Sequence, residues 1–156
     1  MLQRAAPTIR DLLSYRLHRV ANLLSRGAEL RYRREFGVSL WEWRTVALLG
    51  AAEGALSLGE LARAAGVDKS QMSRVVAGLS HRGIVLRADD KSDARGVKLR
   101  LSARGRRLYE GLIRAAAERN AALLASLGAR ERECFERTLE KLAAQARRLI
   151  EEEKAK

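Results

Sequence analysis

Two short helical runs parted by a single glycine, LGELARAAGVDKSQMSRVVAGL at residues 58–79, constrain the fold of this chain more than any other feature. Ala62 and Ala65 are small enough for close helix approach, and Gly66 allows a tight turn between the runs. In the second run Met72, Val75, Val76 and Leu79 recur at helical spacing, and Gly83 ends it. Burial of Val67, Val75 and Leu79 is expected to hold this second helix with its polar face outward. That is the arrangement of a helix-turn-helix, whose second helix enters a DNA major groove. Ser70, Gln71, Ser73 and Arg74 supply the polar face. Arginine pairs bidentately with guanine O6 and N7, and glutamine with adenine, each good pair discriminating by about 1–3 kcal/mol. Lys69, at the helix start, is expected on a phosphate.

A polar helix face alone is ordinary surface, so its neighbours decide the reading. The runs IVLRA and GVKLRL, joined by the polar stretch DDKSDAR, read as a β-hairpin directly after the reading helix. The hairpin carries Arg87, Lys91, Arg95, Lys98 and Arg100, the composition of a wing whose tip reaches an adjacent minor groove, where the negative potential attracts arginine. Arg95 is the expected inserted residue. Asp93 would be repelled by phosphate and is expected to pin the hairpin instead.

The flanks are helical. Ile9, Leu13, Leu17, Val20 and Leu24 share one face of a run from Thr8 to about Glu35. Ser39 with Glu42, and Ser57 with Glu60, have the form of capping boxes opening two short helices. Ser102 opens a helical run to roughly Leu127, and a last helix bears Phe135, Leu139, Leu142, Ala146 and Leu149 as an apolar stripe. The fold class is therefore mainly α, with a winged helix-turn-helix between long terminal helices. The chain of 156 residues forms a single domain, with the reading region at 39–104 and dimerisation helices at 8–36 and 105–152.

Charge agrees with this division. Residues 63–107 carry 12 basic and 4 acidic side chains, which is eight of the net surplus of twelve positive charges. A polyanion is the first partner this implies. No run of about 20 apolar residues is present, which excludes a membrane span, and the first residues lack a secretory pattern, so the expected location is cytoplasmic. One cysteine, Cys134, excludes an internal disulfide and is expected to be a buried structural residue. His18 and His81 lack the spacing of a metal site, and no cofactor is expected. No nucleophile elbow or phosphate-binding glycine loop points to an enzyme. A non-specific architectural nucleic-acid-binding protein is the alternative to a sequence-specific one.

At this point the residues resemble the MarR family of winged helix-turn-helix transcriptional regulators. The resemblance runs from Leu12 to Ile150 and rests on SLWEWRTVALLG, on LGELARAAGVDKSQMSRVVAGLSHRGIVLR and on DDKSDARGVKLRLSARG. Asp93-Ala94-Arg95 matches the family's D-x-R wing signature, and Arg74 matches its recognition arginine. Ser102-Ala103-Arg104-Gly105 departs mildly from the usual threonine and less basic start of the helix that follows, which adds charge near the DNA side.

The resemblance implies a homodimer that presents two reading helices to a pseudopalindromic double-stranded DNA. Ile9, Leu13, Leu17, Val20, Phe135, Leu139, Leu142 and Leu149 are then the interface candidates. It also implies a repressor released by a small effector: an aromatic acid, a phenol or an acyl-coenzyme A. Tyr15, His18, Arg19, Trp41, Trp43 and Arg44 combine aromatic surface with groups able to hold a carboxylate, and are the expected effector contacts.

Overall fold

The computed structural model of the chain describes residues 8–89 and 97–156. A 3₁₀ turn, Ile9–Asp11, leads into α1 (Leu13–Phe36). Then come α2 (Leu40–Ala51), β1 (Leu56–Ser57), α3 (Leu58–Ala65), α4 (Lys69–His81), β2 (Val85–Asp89), β3 (Val97–Leu101), α5 (Ala103–Leu124) and α6 (Ala129–Lys154). The chain divides into two compact units after Ala115. Among the described residues no helix is long and apolar enough to cross a membrane.

The core belongs to the first unit. Val38, Val46, Leu49, Leu61, Ala62, Met72, Val76, Leu79, Ile84, Val85, Leu99, Leu101 and Leu112 are all buried, drawing α2, α3, α4 and the sheet onto one apolar centre. Each full burial of a Val, Leu, Ile or Met side chain stabilises by about 1.5–3 kcal/mol. Thr45 is fully buried and satisfied, its hydroxyl donating to Trp41 O at 2.8 Å.

Both serine capping boxes form. Ser39 N–H donates to Glu42 Oε2 at 2.8 Å while Glu42 N–H donates to Ser39 Oγ at 3.2 Å. Ser57 and Glu60 repeat the exchange at 2.7 and 3.2 Å. Reciprocal satisfaction of two otherwise unpaired N–H groups explains why α2 and α3 start where they do.

Helix α4 stops at a left-handed Gly83, φ +67°, with Ile84 N–H donating back to Leu79 O at 2.9 Å. A side chain at that φ is strained, and the apolar residue after the glycine drops into the core. The sheet is antiparallel in the order β1-β3-β2, with Leu56 opposite Leu99 and Val85 opposite Leu101. The two-residue β1 has no counterpart in the sequence reading, because a pair of residues is too short to show alternation. Helix α5 ends at Leu124 rather than near Leu127, closing with a turn in which Leu127 N–H donates to Leu124 O.

Three expected burials need correction. Val67 and Val75 are only half-buried, while Met72, Val76 and Leu79 form the core-facing side of α4. Val75 lies roughly 65° around the helix from the mean direction of those three, on the rim of the buried face. Cys134 is exposed, as are nearly all residues of α6, a helix with no buried position; its backbone carbonyl accepts from Thr138 Oγ1 at 2.7 Å.

Gly105 explains how α5 leaves the sheet. A Cβ there would run into the Ile84 backbone carbonyl, whereas a Cβ at Gly78 would meet open space. Gly105→Ala is expected to destabilise by about 1–3 kcal/mol, since backbone cannot move aside cheaply. Gly78→Ala, in a helix interior, is expected to stabilise by about 0.4–1 kcal/mol. Urea unfolding midpoints at constant m value check both, and equal effects of the two substitutions would contradict this packing.

Candidate nucleic-acid interface

At 100° per residue, Ser70, Ser73, Arg74, Ala77 and His81 fall within an arc of about 100° on α4, opposite the buried Met72, Val76 and Leu79. Ser70, Arg74, Ala77 and His81 are exposed and Ser73 half-buried. Gln71 sits on the flank of this arc and is half-buried. Ala77 was not among the residues expected on the reading face. It adds only a small apolar methyl to the exposed arc.

The first turn of α4 is set by Asp68, whose role as cap the sequence reading passed over. Asp68 Oδ1 accepts from Gln71 N–H at 2.7 Å and from the Ser70 hydroxyl at 2.7 Å. These bonds, the Gln71 backbone bond foremost, hold the Asp68 carboxyl below its usual value. Glu60 is lowered in the same way, by the Ser57 backbone N–H, the Ser57 hydroxyl and then Lys98. The stabilisation is complete above the ordinary carboxylate pKa and is lost as the pH falls through the lowered value. Lys69 folds back over α3: a Cβ on Gly59 would stand 3.3 Å from Lys69 Cε.

The far end of α4 is tied down from two sides. Arg82 Nη1 donates to Glu42 Oε1 at 2.8 Å and Nη2 to Gly37 O at 3.2 Å, joining the C-terminus of α4 to the start of α2 and the end of α1. On the other side Ser102 N–H donates to Ile84 O at 3.0 Å, Ser102 Oγ donates to Gly83 O at 2.7 Å, and Gly105 N–H donates to Ser102 Oγ at 2.9 Å. The orientation of the reading face follows from these ties.

In the hairpin, Arg87 is exposed and lies opposite Leu99, while Lys98 pairs with Ala88 across the strands and Arg100 with Leu86. Lys98 Nζ stands 3.7 Å from Glu60 Oε2, so part of its charge is answered within the fold. Lys91, Asp93 and Arg95 lie outside the described residues.

The six expected effector contacts do not converge in the single chain. Tyr15 and Arg19 line an open groove on α1 of about 220 Å³ together with Arg10, Arg16, Val20 and Leu23. Trp43 and Arg44 line a separate cavity of about 360 Å³ with Ala47, Leu48, Ala64 and Ala65. His18 Nε2 is hydrogen-bonded to Asn22 Nδ2 at 2.9 Å. The Arg44 guanidinium lies 4.8 Å over the Trp41 ring and donates to Ser25 Oγ at 3.3 Å, while Trp43 packs at 5.2 Å on the buried Tyr32.

Of the expected interface residues, Ile9, Leu13, Leu17 and Val20 in the first unit are exposed. In the second unit Phe135, Leu139 and Leu149 are exposed and Leu142 is half-buried.

The sequence profile of the MarR family matches residues 36–96. The HTH-type transcriptional repressor Rv2887 of Mycobacterium tuberculosis (strain ATCC 25618 / H37Rv) is 36% identical over 135 residues, covering 85% of this chain and 94% of the relative. The crystal structure of a MarR/EmrR family transcriptional regulator from Acinetobacter sp. ADP1 superposes with a TM-score of 0.81 at 25% identity, covering 91% of this chain and 99% of that one. The PcaV transcriptional regulator from Streptomyces coelicolor, solved in complex with its natural ligand, superposes at a TM-score of 0.71 and 25% identity, covering 92% and 99%.

The Arg82 fork generates a direct test. Arg82→Ala leaves Glu42 and the Gly37 carbonyl without their long-range donor and is expected to destabilise by about 1–2 kcal/mol, allowing for partial exposure of the pair. Arg82→Lys keeps the charge but not the two-pronged geometry, and is expected to restore less than half of that loss. Full restoration by lysine in urea unfolding would contradict the geometric role of the fork.

Proposed function

This chain belongs to the MarR family of transcriptional regulators, and we propose that it is a repressor that reads a pseudopalindromic double-stranded DNA as a homodimer. The exposed arc of α4 carries this reading. It presents Arg74, small hydroxyls and Ala77 on a helix anchored through its opposite face and its C-terminal end. Such a helix enters a major groove, with Arg74 reading guanine and Gln71 and Ser73 flanking it. Arg87, Lys98 and Lys69 act on the phosphate backbone, Lys98 by exchanging its Glu60 contact for one with DNA. Arg95 serves the adjacent minor groove, with Lys91 as a further DNA contact and Asp93 in a supporting role.

Support for the dimer comes from the apolar side chains that the single chain leaves in water. Ile9, Leu13 and Val20 in the first unit and Phe135 and Leu149 in the second are each about half exposed or more. Apolar surface of that extent on helices marks an interface, and two-fold symmetry matches two half-sites one helical turn apart.

The effector is a small aromatic acid, a phenol or an acyl-coenzyme A. Arg44 supplies a guanidinium beside the aromatic surface of Trp41 and Trp43, at a cavity within the size range of small-molecule sites. Tyr15, His18 and Arg19 contribute from α1 once the dimer forms. PcaV, a structural relative, was solved with its natural ligand bound.

Two measurements test this reading. Arg74→Ala is expected to weaken binding to a duplex selected from a random pool by roughly 10–100-fold while leaving unrelated duplexes unchanged. Arg87→Ala is expected to weaken all duplexes by a similar factor and to flatten the salt dependence by about one phosphate contact. Identical behaviour of the two variants, or equal wild-type affinity for selected and unrelated duplexes, would overturn the sequence-specific reading and favour the architectural one. In the second, aromatic acids, their coenzyme A thioesters, phenols and urate are titrated into the protein–DNA complex. Release by an aromatic acid, phenol or thioester, abolished by Arg44→Ala, is expected; release by none would overturn the effector assignment.

A further inference from the structure

We propose that Ser70 recognises the exocyclic amino group of a base, adenine N6 or cytosine N4, because its one hydroxyl proton is already committed to Asp68. The inference rests on the reading of α4 as the helix that enters the major groove, and it names what one residue of that helix reads there.

A serine hydroxyl has one proton to donate and two lone pairs to accept with. In this chain Ser70 Oγ donates to Asp68 Oδ1 at 2.7 Å. Asp68 is the cap of α4, and the same oxygen accepts the Gln71 N–H at 2.7 Å, so the helix start itself holds the carboxylate in place. An ionised carboxylate only accepts, and it returns no proton to Ser70. To donate to a base Ser70 would have to give up a short, charge-assisted hydrogen bond for a neutral one, a losing exchange. Its lone pairs stay available on the exposed side of the helix, one turn before Arg74.

The chemistry of the groove then selects the partner. Guanine O6 and N7, adenine N7, thymine O4 and the phosphates all accept; the only donors on the major-groove edges are adenine N6 and cytosine N4. Phosphate is disfavoured further by the Asp68 charge beside it. Every base pair carries one such amino group, on adenine or on cytosine. Ser70 therefore distinguishes which strand of the pair bears the amino group, separating A·T from T·A and C·G from G·C.

The test uses the full-length protein and duplexes selected from a random pool. The wild type is expected to show one base pair per half-site at which the strand bearing the amino group is fixed. Ser70→Ala, at an exposed position, is expected to lose that preference alone, by roughly 2–10-fold. Purine in place of adenine, or pyrimidin-2-one in place of cytosine, deletes only the amino group. At that position it is expected to cost the wild type the same factor and Ser70→Ala nothing. Asp68→Ala frees the hydroxyl proton, and below its melting temperature it is expected to lose this preference while keeping the positions that depend on Arg74.

Three outcomes would overturn the proposal while leaving DNA reading by α4 intact. In the first, Ser70→Ala changes no position of the selected sequence. In the second, amino-group deletion costs wild type and Ser70→Ala equally. In the third, the preference persists in Asp68→Ala. A wild type that enriches no sequence at all would overturn the underlying reading, and this inference with it.

Discussion

Everything the reading helix does depends on how its C-terminal end is held. Arg82, Gly83 and Ile84 are consecutive, and each fixes α4 in a different way. The Arg82 guanidinium ties it to the Glu42 carboxylate and the Gly37 carbonyl, Gly83 supplies the left-handed turn, and Ile84 is buried while its carbonyl accepts the Ser102 N–H. Glu42 is itself held by the Ser39 capping box, so the start of α2 and the end of α4 share one carboxylate. With its end and its inner face both fixed, the outer face of α4 costs little to present. Its orientation is settled before DNA arrives, and a preorganised contact face loses less on binding.

The same economy shows in how charge is distributed. The cations of the first unit are not all free to meet phosphate: Arg82 joins elements, and Arg106 donates to Gly50 O. Arg74 and Arg87 are exposed. A net surplus in the middle of the chain therefore overstates the number of phosphate contacts, and the salt dependence of DNA binding reflects the smaller set. Acceptors are placed as deliberately as donors, since Asp68 both caps α4 and fixes the hydrogen-bonding sense of Ser70.

Local features of this fold were readable in the sequence. Ser39 with Glu42 and Ser57 with Glu60 announce helix starts because a capping box spans only four residues, and Gly66 and Gly83 announce stops because only their φ permits the turn. The hairpin strands were legible because their alternation is local as well. The misses are of two kinds. Arg82 with Glu42, Lys98 with Glu60 and Gly105 against Ile84 bring together residues 21 to 40 positions apart, and no local pattern records such pairs. Val75 was placed by a coarse helical spacing and Cys134 by residue type, whereas burial follows the helix phase in detail and the presence of a packing partner; α6 buries no residue in the single chain.

The central claim is that two copies of this chain read one DNA site through paired α4 helices. Hydroxyl-radical and methylation footprinting of a selected duplex, with the stoichiometry of the same complex measured by sedimentation, tests it most directly. Two chains per duplex are expected, with two protected major-groove patches related by two-fold symmetry and centred about 10 base pairs apart. One chain per duplex with a single protected patch, or uniform protection that spreads along the DNA as protein is added, would contradict it.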